Sequence, residues 1–273
     1  MPFVARPPRP PLDALVRVVW HATSDATGFE WVLPSGDGQL VIQIEDQPNR
    51  WTSPRGERCS AGAAALGGPF LGPLGLDTRD TRAVAGALFE SGGLAALLGM
   101  PVRELTGGYA DLVDVLGPEC ERWVTRVRTA RRAEDALTEL EGGLRGAIRR
   151  RSRRSAIEVA CAALARGVRV GRVADRLGAS QRRFSRTFTD ETGLTPKQYT
   201  RLARFQRALR ELRREGLGDL ASLALRAGYV DQAHLNHEFR AFAGMTPTEV
   251  VAGRGPFANH VRVSTSDARS PRR

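Results

Sequence analysis

The sequence has few of the residues that support disulfide, metal or membrane chemistry. Its 3 cysteines, Cys59, Cys120 and Cys161, are far apart and form no Cys-x-x-Cys pair. Their odd number and wide spacing argue against a disulfide framework and a zinc site. The 4 histidines form no ligand cluster. No apolar run reaches the roughly 18 residues that a membrane span needs. We therefore expect no metal, no cofactor and no membrane segment, with free thiols in the reducing cytoplasm.

Motifs of common enzymes are also missing. The paired glycines at 67–68 and 107–108 lack the spacing and the lysine of a phosphate-binding loop. No serine, aspartate or glutamate stands in a nucleophile motif. We expect that the protein is not an enzyme.

Positive charge is in excess, and nearly all of it is arginine. The formal net charge is +11, and Lys197 is the only lysine. Residues 1–148 carry 15 basic and 19 acidic side chains, residues 149–214 carry 19 and 5, and residues 215–273 carry 7 and 6. Codon bias alone would spread arginine evenly. The concentrated basic segment indicates a part that binds a polyanion, joined to a part with another task.

The first hundred residues contain short apolar runs separated by turn residues, which is typical of an antiparallel barrel or sandwich. These runs cover residues 15–20, 31–33 and 40–44. Helical patterns then cover residues 94–98, 110–116, 119–129 and 133–150. The pattern predicts a β-rich, barrel-like domain at 1–130 with trailing helices, and a helical and basic linker at 131–155.

Two further segments are predicted to lack a packed structure. The basic run at 149–155 is either a flexible linker or an arm that lies along DNA phosphates, and the sequence leaves both readings open. The tail at 254–273 holds Gly, Pro, Ser and Arg without a period, so we predict that it is disordered.

One pattern occurs twice in the C-terminal part. Ala174 and Gly178 recur as Ala224 and Gly228, and after one inserted residue five more positions recur in order. The five are Phe184, Phe188, Gly193, Thr195 and Pro196 in the first copy, and Leu235, Phe239, Gly244, Thr246 and Pro247 in the second. So many matches in fixed order indicate a structural repeat.

Each copy has the residues of a helix-turn-helix unit. The turn glycine accepts positive φ, and Ser180 and Asp231 are suitable N-caps for the second helix. The apolar pair four residues apart faces the core, which leaves a polar face for base edges. An ordinary solvated face is the alternative for any single residue. The candidate DNA-binding residues are Gln181, Arg182, Ser185 and Arg186 in the first unit, and Gln232, His234, Asn236 and His237 in the second.

A long helix over 196–214 is predicted to hold the two units rigidly together. Pro196 after Thr195 suits its first turn. Its apolar stripe is Leu202, Phe205, Leu209 and Leu212, and a second stripe is Arg201, Arg204, Arg207 and Arg210. The arginines either contact phosphates or are merely solvated.

Over about 156–252 these motifs resemble those of the AraC/XylS family of bacterial transcriptional regulators. The resemblance implies an α+β protein whose C-terminal domain, 156–253, has seven helices and two recognition helices in neighbouring major grooves. The family's base-contacting positions would fall on the eight residues named above. Two departures are Ala179, where an aromatic residue is common, and Ala233, which offers no base contact.

The N-terminal part resembles, more loosely, a β-rich sensor-type domain, through Trp20 and the segments 32–36 and 92–99. Together the resemblances imply a sequence-specific regulator controlled by a ligand or partner at the N-terminal domain, with activation and repression both left open and activation as the first expectation. Its partners would be double-stranded DNA, RNA polymerase, a small-molecule effector and a second copy of the chain. Two alternatives stay open: a DNA-alkyl transferase with the same DNA-binding domain (residues 156–253, called the reader below), and an architectural DNA-binding protein.

Overall fold

Strands dominate the chain before residue 112, and helices dominate it afterwards. The structure, a computed structural model, describes residues 3–23, 28–148, 154–253, 255, 257 and 259–263. The predicted fold class is confirmed, because a β-rich N-terminal part with trailing helices precedes an all-α C-terminal part. Residues 149–153 of the basic run lie outside the described residues.

The strands of the described residues form two antiparallel sheets. They are β1 (Phe3–Arg6), β2 (Val16–Thr23), β3 (Phe29–Val32), β4 (Gln39–Gln43), β5 (Asn49–Thr52), β6 (Arg58–Ala61), β7 (Ala64–Gly67), β8 (Leu74–Asp77), β9 (Ala83–Phe89), β10 (Tyr109–Asp111) and β11 (His260–Val263). The first sheet has the order β1-β2-β9-β4-β7-β10, and the second has the order β11-β3-β8-β5-β6. In β4, Leu40 and Ile42 are fully buried and Val41 is less so. This alternation places one face of the first sheet on the core.

Three helices complete the N-terminal part. They are α1 (Leu112–Leu116), α2 (Cys120–Thr129) and α3 (Ala133–Ala147). Leu137, Leu140 and Leu144 of α3 are buried in the cluster that contains Val19 and Leu40 of the first sheet. Here the structure differs from the predicted linker over 131–155. The apolar stripe of α3 needs a surface to pack on, and the sheet provides it.

Seven helices of the described residues form the C-terminal part, the number that the resemblance implied. They are α4 (Arg154–Ala165), α5 (Val170–Arg176), α6 (Gln181–Thr192), α7 (Pro196–Glu215), α8 (Leu220–Ala227), α9 (Gln232–Ala243) and α10 (Pro247–Ala252). Helices α7 and α10 each begin with a capping box, in which Thr195 or Thr246 exchanges hydrogen bonds with the residue three positions on. Proline stands at the first turn of both helices, as the sequence predicts.

The C-terminal part has two separate apolar clusters. One joins α4, α5 and α6 around Phe184 and Phe188, and the other joins α7 to α10 around Phe205 and Phe239. Tyr199, near the start of α7, packs against both clusters. Among the described residues, the two halves therefore meet along α7 without forming one continuous apolar cluster.

The N-terminal part packs directly on the second of these clusters. Trp31 and Leu33 are buried with Leu202 and Phe205 of α7. The Gln206 amide donates a hydrogen bond to the carbonyl oxygen of Pro34. Contacts of this kind hold the two parts of the chain against each other.

Strand β11 is an ordered part of the tail 254–273, for which the sequence predicts disorder; positions 254, 256, 258 and 264–273 of that tail lie outside the described residues. Strand β11 pairs with β3, so that Val261 lies opposite Trp31 and is buried. Glu30 of β3 accepts from Arg262 at 3.2 Å and is within 2.7 Å of the His260 ring nitrogen. One buried apolar side chain, an ion pair of Glu30 with Arg262 and a hydrogen bond between Glu30 and His260 order this segment.

Candidate nucleic-acid interface

The first helix-turn-helix unit consists of α5, a short turn and α6. Gly178 in the turn has φ +64°, as the sequence predicts. The Ser180 side chain accepts from the backbone N–H of Arg183, which confirms its role as N-cap. Phe184 and Phe188 of α6 are buried. Their burial turns the opposite face of α6 towards solvent.

The second unit, α8 and α9, repeats this construction. Gly228 has φ +88°, and the Asp231 carboxylate accepts from the His234 backbone N–H at 2.7 Å. Leu235 and Phe239 of α9 are fully buried. Both units therefore present a capped helix N-terminus and one polar face, which is how helix-turn-helix proteins meet the major groove.

The eight candidate DNA-binding residues lie on these two faces, four on α6 and four on α9. Exposed side chains are Gln181, Arg182, Arg186, Gln232 and His237, and half-buried ones are Ser185, His234 and Asn236. The structure thus brings each set of four together on its own helix. Arg186 has 84% of its side chain exposed, and its Nε lies 4.0 Å from Oδ2 of Asp190.

His234 has a second environment that the sequence does not indicate. Its ring packs edge-on against Tyr229, with the ring centroids 5.2 Å apart. Tyr229 is buried, and burial raises the pKa of its hydroxyl. His234 therefore helps to seat the turn of the second unit, besides lying on the polar face of α9.

Three of the four arginines of the α7 stripe contact other parts of the protein, in contrast to the solvated reading of the sequence, whereas Arg210 is exposed. Arg201 forms an ion pair with the buried Glu238 of α9. Arg204 donates to the carbonyl oxygen of Gly228 at 3.2 Å, and its guanidinium lies 4.8 Å from the centroid of the Tyr229 ring. These arginines fasten α7 to the second unit.

A cavity of about 590 Å³ lies between the N-terminal part and α7. Trp20 and Leu88 of the first sheet line it, and Leu202 and Ala203 of α7 face them. Sequence reasoning did not find this cavity, because its walls come from segments that are more than a hundred residues apart. It is large enough for a small organic molecule.

Asp37 in the cavity wall is a buried carboxyl group. It accepts from the Arg17 guanidinium at 2.8 and 3.1 Å. Burial raises the pKa of Asp37 to about 6, and the nearby Arg17 charge opposes this rise. Glu90, which also accepts from Arg17, adds a like charge that raises the pKa further.

The three cysteines lie apart as free thiols. Burial raises the pKa of Cys120, and it raises the pKa of Cys161 to about 12. In the described part of the chain, no three His, Cys, Asp or Glu side chains are grouped so that they could bind a metal ion. None of the described helices combines the length and apolar character that crossing a membrane requires.

Two family models match the chain. A model described as a helix-turn-helix domain matches residues 173–253. A model described as a domain of unknown function (DUF6597) matches residues 5–111. The first match begins within α5 and covers α6 to α10 in full.

Curated relatives match over about a third of the chain. The HTH-type transcriptional activator RhaS of Escherichia coli O9:H4 (strain HS) is 33% identical over 85 residues, which is 31% of this chain. RhaS of Escherichia coli strain K12 / DH10B gives the same values. The alignment spans only 30% of the length of RhaS.

Solved structures align over most of the chain at low identity. ToxT from Vibrio cholerae (P21 form) has a TM-score of 0.47 and 10% identity, covering 92% of this chain and 98% of ToxT. ToxT of strain SCE256 with an unsaturated fatty acid bound has a TM-score of 0.45 and 10% identity, covering 91% and 94%.

The geometry of the two units and the matching model agree on the character of this region. Helices α6 to α10 lie wholly inside the matched residues, and the match begins within α5. Residues 173–253 of this chain are a helix-turn-helix domain.

Proposed function

We propose that the chain is a sequence-specific DNA-binding transcriptional regulator of the AraC type, with double-stranded DNA as its partner. The observation that carries the proposal is the pair of capped helices, α6 and α9, whose polar faces are open while their apolar faces are buried. Arginine on such a face pairs with guanine, and glutamine or asparagine pairs with adenine. The eight candidate residues named above would supply these contacts.

The connection between the units supports a bipartite DNA site. Helix α7 has 20 residues, and at about 1.5 Å per residue it spans about 30 Å. One turn of B-DNA is about 34 Å. The two recognition helices would enter successive major grooves on one face of the duplex. Because α6 and α9 differ in sequence, the two half-sites would differ as well.

Selection from a random duplex library with the full-length chain tests this proposal. We expect one enriched asymmetric site, bound with an affinity that falls steeply as salt concentration rises, because phosphate contacts release counterions. A chain that retains its helical circular dichroism but enriches no sequence would contradict sequence-specific reading. Salt-sensitive binding without enrichment would favour the architectural alternative.

We further propose that a small molecule in the interdomain cavity controls the reader. The cavity takes its walls from both parts of the chain, so that an occupant would contact the first sheet and α7 together. A thermal-shift screen of the full chain against metabolites is the direct test. Substituting Ala203→Trp should fill the cavity and abolish any shift, whereas Ala221→Trp, on the exposed surface of α8, should leave it intact.

The DNA-alkyl transferase alternative receives no support from the thiols of Cys120 and Cys161. A reactive cysteine needs a lowered pKa and access to its substrate. Cys120 and Cys161 are buried with raised pKa values. We also expect further properties of the proposed regulator. These are a contact with RNA polymerase, activation of transcription, a homodimer and a cytoplasmic location.

A further inference from the structure

Arg207 lies in the middle of α7 and contacts a helix from each half of the C-terminal part. Its Nη2 donates to the carbonyl oxygen of Ala165, the last residue of α4. Its Nη1 donates to the carbonyl oxygen of Ala227, the last residue of α8, at 3.4 Å. Carbonyl groups at helix C-termini lack intrahelical donors and carry partial negative charge. One guanidinium thus satisfies two helix ends at once.

The neighbouring arginines of α7 do not make this double contact. Arg201 and Arg204 reach the second unit, through Glu238 and Gly228. Arg210 is exposed, and no carbonyl or carboxylate partner is found for it among the described residues. All four residues of the stripe are arginines, so their charge does not distinguish them. Arg207 differs from the other three in its contacts with the C-terminal carbonyl groups of two helices.

The bridge formed by Arg207 joins two halves whose apolar clusters are separate among the described residues. The apolar stripe of α7, including Leu202 and Phe205, belongs to the cluster of the second half. The first half is linked to α7 by Tyr199, which packs on Phe188 with the ring centroids 5.5 Å apart. Tyr199 and Arg207 are eight residues apart, about 12 Å along the helix axis. Two contacts at this separation resist rotation of one half against the other.

We propose that Arg207 is a positioning residue that fixes the relative placement of the recognition helices α6 and α9. This inference rests on the proposed DNA-reading function and adds how that reader is held rigid. A rigid pair of helices binds both half-sites without the entropic cost of ordering one half against the other. Arg207 and Ala165 also line the interdomain cavity, so the bridge lies where the N-terminal part meets the reader.

A comparison of Arg207→Met with Arg210→Met tests the bridge. Both substitutions remove one charge from α7 and keep an unbranched apolar side chain, but only the first removes the carbonyl contacts. The probe is the duplex that the wild-type chain selects from a random library. Arg207→Met should weaken binding to the intact bipartite duplex about tenfold, the scale of a lost charged hydrogen bond. For duplexes with one half-site scrambled, the affinity of Arg207→Met should be within about twofold of the wild-type affinity.

The same variants should differ in their tolerance of altered spacing. Inserting one base pair between the half-sites should lower the DNA affinity of Arg207→Met less than that of wild type. Without the bridge, α6 and α9 can change their relative placement to fit the altered spacing. Arg210→Met should behave like wild type. Arg207→Lys keeps the charge but has a single ammonium group, so it should recover only part of the bipartite affinity. Full recovery by lysine, or equal weakening of intact and scrambled duplexes, would overturn the proposal.

A measurement without DNA separates this proposal from the function on which it rests. Spin labels at Arg183→Cys on α6 and Ala241→Cys on α9, both exposed, are introduced into the Cys59→Ser chain. Pulsed electron paramagnetic resonance measures the distance between the two labels. The distance distribution should be single and narrow for the parent and for Arg210→Met, and broader or shifted for Arg207→Met. Unchanged distances in Arg207→Met would refute the bridge whether or not the chain binds DNA.

Discussion

Arg201 of α7 and Glu238 of α9 form a two-pronged ion pair, with Nη2–Oε1 at 2.7 Å and Nε–Oε2 at 3.3 Å. Glu238 belongs to the recognition helix, yet it is only 3% exposed and points away from the polar face. The hydrogen bond to Glu238 raises the pKa of Arg201. An acidic side chain that would repel phosphates is thereby neutralised, and α9 is tied to the helix that connects the units.

Loss of this pair should destabilise the protein. Glu238→Gln keeps the shape but leaves Arg201 without a charged partner, and we expect a loss of about 1–3 kcal/mol in the free energy of unfolding. Glu139→Gln is the matched control, because its pair with Arg126 is exposed on both sides. That change should cost less than about 1 kcal/mol. Urea unfolding followed by circular dichroism measures both, and equal losses would speak against a structural role for Glu238.

Arg186 should read bases directly. Its side chain is open, and Arg186→Ala should cost about 1–3 kcal/mol of DNA binding and relax the preference at one or two positions. Arg183→Ala removes the same charge from an exposed position of α6 outside the candidate set. It should weaken binding to all sequences alike. Library selection with each variant compares the preferences; unchanged preferences in Arg186→Ala would remove this residue from the reading set.

Asp37 should make stability depend on pH in an unusual direction. Burial raises its pKa from 3.8 to about 6 in the folded protein. A raised pKa means that the folded state favours the protonated form, so this contribution to stability is full below about pH 4 and is lost as pH rises through about 6. Relative to Asp37→Asn, the wild type should therefore become less stable between these values. Thermal melts of both proteins across this range check the sign, and a relative gain for the wild type would contradict it.

Strand β11 should contribute measurably to stability, although it follows the helix-turn-helix domain. Val261 is 1% exposed, whereas Val230 is 77% exposed. Val261→Ala should cost about 2 kcal/mol, at about 0.8 kcal/mol per buried methylene plus a cavity term. Val230→Ala should have almost no effect on stability. Denaturant unfolding curves measure the free energy of unfolding of both variants. Equal values for Val261→Ala and Val230→Ala would contradict the stabilising role of β11.

Local chemistry made much of the reader predictable from sequence. Ser180 and Asp231 cap helices because their side-chain oxygens satisfy nearby backbone N–H groups. Gly178 and Gly228 adopt positive φ within a few residues of those caps. The buried Phe184 and Phe239 follow from helical periodicity alone. Each of these predictions depends on residues that are close in sequence, and the structure confirms them.

Contacts between distant segments were beyond the reach of the sequence. The partner of α3 is the first sheet, and the partner of β11 is β3, more than two hundred residues earlier. The same holds for Arg207, whose spacing on α7 indicates a charged stripe but not the helix ends that it contacts. The interdomain cavity likewise exists only through the packing of the two parts. The roles of the eight candidate residues in DNA binding stay predictions.

The central claim is that α7 holds the recognition helices α6 and α9 in a fixed relative placement. Inserting five base pairs between the half-sites of the selected duplex tests it most directly. Five base pairs rotate one half-site by about half a turn of B-DNA. Because α7 holds α6 and α9 on one face, the full chain should lose bipartite binding and protect only one half-site in a footprint. An insertion of a full turn moves the second groove about 34 Å away and should not restore it. Two intact protected patches and unaltered affinity after the five-base-pair insertion would contradict the account.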